Sequence, residues 1–450
     1  MANTYLTRTF SAGNRKTGTI SVWLKRNDLA ATQNIFSTWN TSANGYTSAI
    51  INISSSGRIG LFNYTADGTS THTEFQSNAR FRDVSGWSHI VFSWDTTLST
   101  ASDRYKLYVN GERITSFSTA TYPTLNEDLY FDIGGSSNPV SIGSEHAGGG
   151  GGYFNGLMSH YHHTDGTAYD ASAFGETDST TGEWKIKTDV SVTYGTNGFF
   201  ILKDGNSVTD QSGEGNDFTV ASGTLTNTED NPSNVFATFN PLDNFYGSAT
   251  FSNGNNTIVT GYSSYAANTS TLGMVSGKWY CEIKAVNIYN GYAQFGIKGR
   301  NSISTAKGVV IDSDGYGYVA NGGQKGNNGS YSSYGTVWNN NDIIGIAVDL
   351  DNNKLYFSRN GTWQNSGDPT SGSTGTGAAF TLITPSSGAY YFCTSDNDGG
   401  ATNEYQANFG NGYFGTTAVA SAGTNASGNG IFEYDCPTGY TALSTKGLNL

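Results

Sequence analysis

Hydrophobic and polar residues alternate along most of this chain in short runs separated by Gly, Asn, Ser and Thr, the period-two pattern of half-buried β-strands. Two stretches share that pattern in detail. Residues 89–111 read HIVFSWDTTLSTASDRYKLYVNG and residues 343–361 read IIGIAVDLDNNKLYFSRNG. In the first, Ile90, Phe92 and Trp94 fall on one face; in the second, Ile344, Ile346 and Val348 do. Each run reaches an aspartate and a polar turn, continues through Lys-Leu-Tyr in a second strand, and closes on Asn110-Gly111 or Asn360-Gly361. Those residue types tolerate positive φ, which a tight hairpin requires before the chain reverses. Two copies of a three-strand meander predict two β-sandwich domains of related architecture. Further strands are predicted at residues 19–24 (TISVWL), 48–53, 58–62 and 198–202 in the first half, and at 278–285 (KWYCEIKA), 292–297 and 308–311 in the second. No segment sustains the apolar spacing of an amphipathic helix, so the fold class is all-β.

Composition agrees with that class. Gly 59, Tyr 28, Phe 24 and Trp 8, against three Met and 13% charged residues, describe many turns and aromatic-filled sheets. A length of 450 residues leaves room for two such domains. The first is expected over residues 1–240, the second over 245–420, and a tail over 421–450 holds too little apolar surface to fold alone.

Charge narrows the partners. A net charge of −13 lacks the clustered Lys and Arg that nucleic acid demands, so no nucleic-acid partner is expected. The densest basic cluster, Arg8 to Arg26, reads as strand-edge and turn charges. MANTYLTRTFSAGNRK has no apolar core of a signal peptide and no run reaches membrane-spanning length, which predicts cytoplasmic synthesis and no membrane insertion. Cys281, Cys393 and Cys436 are too few and too irregular for a disulfide framework or a zinc site, and read as buried free thiols.

These residues carry family resemblances. TISVWLKR, GWSHIVFSWD, KLYVNG, SIGS at 141–144 and YFNGLMSHYHHTDGTAYDASAFGE at 153–176 resemble, in order and spacing, the laminin-G-like branch of the concanavalin A-like lectin and glucanase superfamily. The resemblance implies a jelly-roll sandwich. One departure is informative: the family's early D-x-S-G-x-G-N-D motif stands late here, as DQSGEGND at 210–217 after GFFIL. Residues 198–220 are therefore expected to fold back and close the first sandwich, covering an otherwise open sheet edge. GKWYCEIKA, YAQFGI, DIIGIAVDLDNNKLYFSRNGTW, YYFCTS and QANFG in the second block resemble a SPRY domain, a concanavalin-like sandwich used for binding. Two concanavalin-like antiparallel sandwiches in tandem, joined by YGTNGFFILKDG and ATFNPLDN and closed by PTGYTALSTKGLNL, resemble bacteriophage tail-fibre and related virion proteins. That resemblance implies a virion location, other virion proteins as partners, a host surface glycan or protein as target, and a homo-oligomer, a trimer in most appendages. A capsid decoration or head-fibre protein is the second reading, and a polysaccharide depolymerase the third.

Chemistry is sparse. A glucanase needs carboxylates about 5 Å apart on one strand face; no E-x-D-x-x-E string occurs, and Glu176, Asp178 and Glu183 sit in a Ser/Thr loop at the wrong spacing, so no catalytic residue is assigned. Strand alternation puts His160 and His162 on one face and His163 on the other, a pair that could share a metal or serve as ordinary core and surface residues. DQSGEGND suits either a structural calcium, which the laminin-G resemblance implies, or an Asx-turn without an ion; no other cofactor is expected. The remaining signal is aromatic residues in polar segments: Trp39 and Tyr46 in the first domain, and Tyr316, Tyr318, Tyr331, Tyr334, Trp338 and Trp363 in the second. Aromatic faces stack on sugar C–H faces, which makes these eight the candidate ligand-binding set.

Overall fold

A computed structural model describes residues 3–449 except 43–44, 65–70, 133–138, 146–150, 204, 206, 245–248, 261–265, 290, 300–307 and 397–401. The chain divides into two compact units, Met1–Asn227 and Thr228–Leu450. Among the described residues no helix is long and apolar enough to cross a membrane.

The first unit packs an eight-stranded sheet on a six-stranded one, all pairs antiparallel. The larger sheet runs, by position, Phe117–Thr121, Thr71–Ser77, Ile59–Tyr64, Gly45–Ile53, Gln33–Ser42, Val140–Ile142, Tyr5–Arg8 and Thr219–Ser222. The smaller runs Phe199–Ile201, Gly156–Asp165, Thr17–Arg26, Ser88–Asp95, Tyr105–Val109 and Glu112–Ile114. Strand alternation decides what faces inward: Ile20, Val22 and Leu24 join Ile90, Phe92 and Trp94 between the sheets, with Ile51, Ile53, Leu61 and Phe75 opposite. Residues 198–222 return to this sandwich. Phe199–Ile201 pairs with Tyr161 to His163 at one edge, and Thr219–Ser222 pairs with Tyr5 to Thr7 in the other sheet.

The second unit repeats the layer plan. One sheet holds Phe239–Asn244, Ala266–Ser270, Tyr390–Asp396, Gln294–Gly299, Gly315–Val319, Gln324–Asn327 and Ser330–Ser333. The other centres on Lys278–Asn287, Ile343–Asp349 and Lys354–Arg359, with Glu404–Asn408 on the far side of Lys278–Asn287. The stretch at 308–311 forms a turn, not a strand.

Two boundaries differ from the sequence-based expectation. The units part at 227/228 and not near 240, because Phe236, Ala237 and Phe239 are buried in the second unit and Ala237 N–H donates to Leu443 O at 2.9 Å. Residues 421–450 are not an appended tail. Tyr280, Ala347 and Tyr356 put apolar surface on the outer face of the second sheet, and Phe432, Cys436, Tyr440 and Ala442 cover it. Thr441–Ala442 also adds a parallel pairing to Trp279 and Tyr280.

The two meanders match in their turns. Asn110 and Gly111 take φ of 48° and 82°, Asn360 and Gly361 of 48° and 77°, both pairs left-handed as a type I′ hairpin requires. Asn110 Oδ1 accepts from His89 N–H and Asn360 Oδ1 from Ile343 N–H, each at 2.8 Å.

Candidate functional site

Four of the eight candidate aromatics are core residues. Tyr316, Tyr318 and Trp338 are buried and Tyr334 nearly so, all in the main core of the second unit. The segment read as polar loop is three short strands, and Tyr316 and Tyr318, two apart in Gly315–Val319, share the inward face. Tyr318 Oη bonds Thr336 O, Tyr334 Oη accepts from Phe357 N–H at 3.3 Å, and the Trp338 ring lies 4.7 Å from that of Phe295. Trp363 packs its ring against the Tyr280 cluster and is half-buried. Tyr331 is exposed on Ser330–Ser333 and Trp39 half-buried on Gln33–Ser42, in different units. The Tyr46 side chain lies outside the described residues. The six candidates of the second unit do not converge on one surface.

The titratable residues singled out from sequence hold structure. A bulge between Ser159 and His162, with His160 at φ 47°, adds a residue to the Gly156–Asp165 strand and resets its faces. Tyr161 and His163 consequently turn inward, and His163 Nε2 pairs with Asp132 Oδ1 at 2.9 Å in full burial. His162 faces outward, stacks on Phe200 at 3.9 Å and bonds Tyr194 Oη at 2.9 Å. His160 also meets the Phe200 ring, at 5.7 Å, so His160 and His162 lie against the same outer-face residue with His163 opposite. Among the described residues no group of three His, Cys, Asp or Glu is arranged to hold a metal ion.

The DQSGEGND loop is closed by its own bonds. Asp210 Oδ1 accepts from Phe200 N–H at 2.8 Å and Ser212 N–H at 2.9 Å, and Oδ2 from Ser212 Oγ–H at 2.7 Å and Asn216 N–H at 2.9 Å. Burial raises the Asp210 pKa, but these donors outweigh it and leave the carboxyl below its ordinary range. With about four lone-pair sites occupied by four donors, Asp210 does not fit a calcium ligand's role. Asp178 caps Thr180 and Thr181 N–H at 2.8 and 3.0 Å, while Lys185 bridges it to Glu176.

Two further buried groups shape the outer faces. Trp184 Nε1–H donates to His89 Nδ1 at 3.0 Å, so the proton of neutral His89 sits on Nε2 and meets Ser21 Oγ at 2.8 Å. Burial drives the His89 pKa down to about 3. In the second unit Glu282 is fully buried: Oε1 accepts from Tyr434 N–H and Oε2 from Glu433 N–H, both at 2.8 Å, fastening the C-terminal segment to the sheet. Burial pushes its pKa up to about 7 against these bonds.

A concave site opens where the two sheets of the first unit end. Its volume is about 290 Å³. Leu24, Ile53, Ile90 and Val109, the last core residues of four strands, form an apolar floor. The loop at 80–88, joining Thr71–Ser77 to Ser88–Asp95, forms the wall, with exposed Arg80 and Arg82 and half-exposed Trp87. That loop is anchored by buried Val84 and by Phe81 N–H, which donates to Gly57 O at 2.7 Å. Arg26 completes the lining. It is only 2% exposed because it follows Leu24 on the inward face at the end of its strand. Its Nη1 donates to Phe81 O at 3.0 Å and its Nε to Gln33 Oε1 at 3.3 Å, while buried Nη2 has no partner. Asp83, the one acid of the lining, is turned onto its own loop, accepting from Ser85 N–H at 2.8 Å and Ser85 Oγ–H at 2.6 Å. Sequence reading missed this site. A visible signal existed in RFRDVSGW at 80–87, where two arginines and a tryptophan share one inter-strand loop.

Residues 2–163 match the family model described as the Concanavalin A-like lectin/glucanases superfamily, and residues 278–410 match that of the SPRY domain. No curated protein sequence matches. Among solved structures, the SPRY domain of human HERC1 is 17% identical over 38% of this chain and 96% of that one, at a TM-score of 0.29. A second human SPRY domain is 15% identical over 34% and 90% (TM-score 0.26), and the heptameric SAP-like pentraxin of Limulus polyphemus 20% identical over 37% and 71% (TM-score 0.27). The two family matches fall one in each unit.

Proposed function

We propose that this chain is a non-enzymatic binding protein of a bacteriophage particle, a tail-fibre or receptor-binding component whose first sandwich recognises a host surface glycan. The observation that carries the binding role is the cleft at the end of the first sandwich. Its apolar floor, partly exposed Trp87 and flanking polar groups are the mixture a sugar ring requires: a face to stack on and groups to orient hydroxyls. The lectin-type and SPRY matches support a binding protein over a catalyst. So does the use of buried histidines and carboxylates as structural bonds, as in His163–Asp132 and Glu282. The appendage assignment rests on the order of the two sandwiches and their connecting strings, and with it go other virion proteins as partners and a trimeric assembly.

Antibody against the chain, imaged on intact particles, tests the appendage reading. Label at tail tips is the expected result. Label spread over the head would replace it with capsid decoration, and its absence from particles would reject both.

A further inference from the structure

We infer that the cleft of the first sandwich takes an anionic saccharide, a sugar residue bearing a carboxylate or a sulfate. This rests on the glycan-binding reading and narrows its ligand class.

The inference starts from Arg26. A guanidinium stays charged at every accessible pH, and burial lowers its pKa here with only the field of Asp28 opposing. At 2% exposure it should have a counter-charge, since buried charges are ordinarily paired. Its bonds go instead to two neutral oxygens, Phe81 O and Gln33 Oε1, and Nη2 is left over. Arg80 and Arg82 stand on the wall above it. Asp83 offsets only one of these three charges, and its Oδ1 is taken by Ser85 and Gly86. Three cations against one internally bonded acid thus meet in one concavity of a chain whose net charge is −13. Such a cleft focuses an attractive field for anions. A carboxylate or sulfate accepts from a guanidinium fork in two parallel bonds, while Trp87 supplies an aromatic face on the same wall.

The test uses the full chain and calorimetric titration with matched pairs: oligogalacturonate against its neutral methyl ester, and sulfated against unsulfated maltooligosaccharide. Binding of the charged member of one pair, at least tenfold tighter than its neutral partner and weakening as salt rises, is the expected result, and the responding pair names the anion. Arg82→Gln, at an exposed position, should cut that affinity at least tenfold with the unfolding midpoint unchanged; Arg26→Lys should retain part of it and Arg26→Gln none. Equal binding of charged and neutral members, or indifference to both arginines, overturns the anionic assignment. If neutral sugars bind and Trp87→Ala abolishes their binding, the glycan reading stands without it. If no saccharide binds while polyglutamate does, both fall.

Discussion

Arg26 donates from Nη1 to the carbonyl oxygen of Phe81 at 3.0 Å, tying the inward end of the Thr17–Arg26 strand to a loop 55 residues on. The bond fixes the wall of the cleft to its floor. It also holds a charged group where the core would otherwise have continued with an apolar one.

Removing that tie should be felt as stability. Arg26→Gln leaves Phe81 O without its charged donor, an expected cost of about 1–3 kcal/mol. Hydrogen exchange should quicken across residues 80–87, and chemical unfolding should show the first transition moving earlier. An unchanged first transition with unchanged loop exchange would contradict the role given to this bond.

The hairpin turns should respond alike in both units. Asn110→Ala and Asn360→Ala each lose a side-chain bond to the facing strand, worth about 1 kcal/mol. Each also puts a less tolerant residue at φ 48°, adding about 1–2 kcal/mol. Glycine at either position should recover the second part only. Gly111→Ala and Gly361→Ala should be worse, since a Cβ would meet the Trp184 ring at 2.5 Å and the Tyr434 ring at 2.6 Å. Urea denaturation of the six single variants gives the ranking.

Acid should move the two units in opposite directions. His89, and His162 likewise, have pKa values lowered by burial, so the folded first unit binds fewer protons than the unfolded chain. Their contribution is present above the ordinary histidine pKa and is lost as pH falls below it, for His89 by about 2 kcal/mol at pH 5. Buried Asp132, whose pKa burial raises, offsets part of this. Glu282 has the reverse sign: with its pKa raised to about 7, the second unit gains stability as pH falls from 7 toward 4.5, by about 3 kcal/mol at most. Thermal scans of the full chain between pH 7 and 5 should show one transition falling and the other rising, and Glu282→Gln should flatten the second.

Chelation should leave the first unit untouched. Asp210 is saturated by protein donors, so adding a calcium chelator is expected to leave the midpoint where it was. Asp210→Ala strands those donors and should cost about 2–4 kcal/mol. A midpoint that drops on chelation would show that the loop holds an ion after all.

Much of the scaffold was legible because it depends on local alternation. Ile90, Phe92 and Trp94 point inward as their spacing predicts, and Asn-Gly announced both turns. The late DQSGEGND string likewise marked residues that return to the first sandwich. The aromatic candidates misled because glycine disguised a strand. In GYGYV, Gly315 and Gly317 alternate with Tyr316 and Tyr318, and Gly317 is small because a Cβ would meet Val309 and Val310 at 2.6 and 2.8 Å. Composition reads that as loop, whereas period two reads it as strand. The bulge at His160 leaves no mark in the alternation itself: it shifts the faces relative to Gly156–Ser159, while His160, His162 and His163 keep their own alternation. Arg26 was out of reach for another reason: its burial is set by Phe81 and Gln33, residues of other elements, and unpaired charge is a tertiary property.

The central claim is that recognition occurs at the end of the first sandwich. Hydrogen exchange of the full chain, with and without a saccharide that it retains from a panel of bacterial surface polysaccharides, tests it most directly. Protection confined to residues 24–27 and 80–90 is the predicted result. Protection absent there and concentrated on the exposed Ser330–Ser333 strand of the second unit would contradict it.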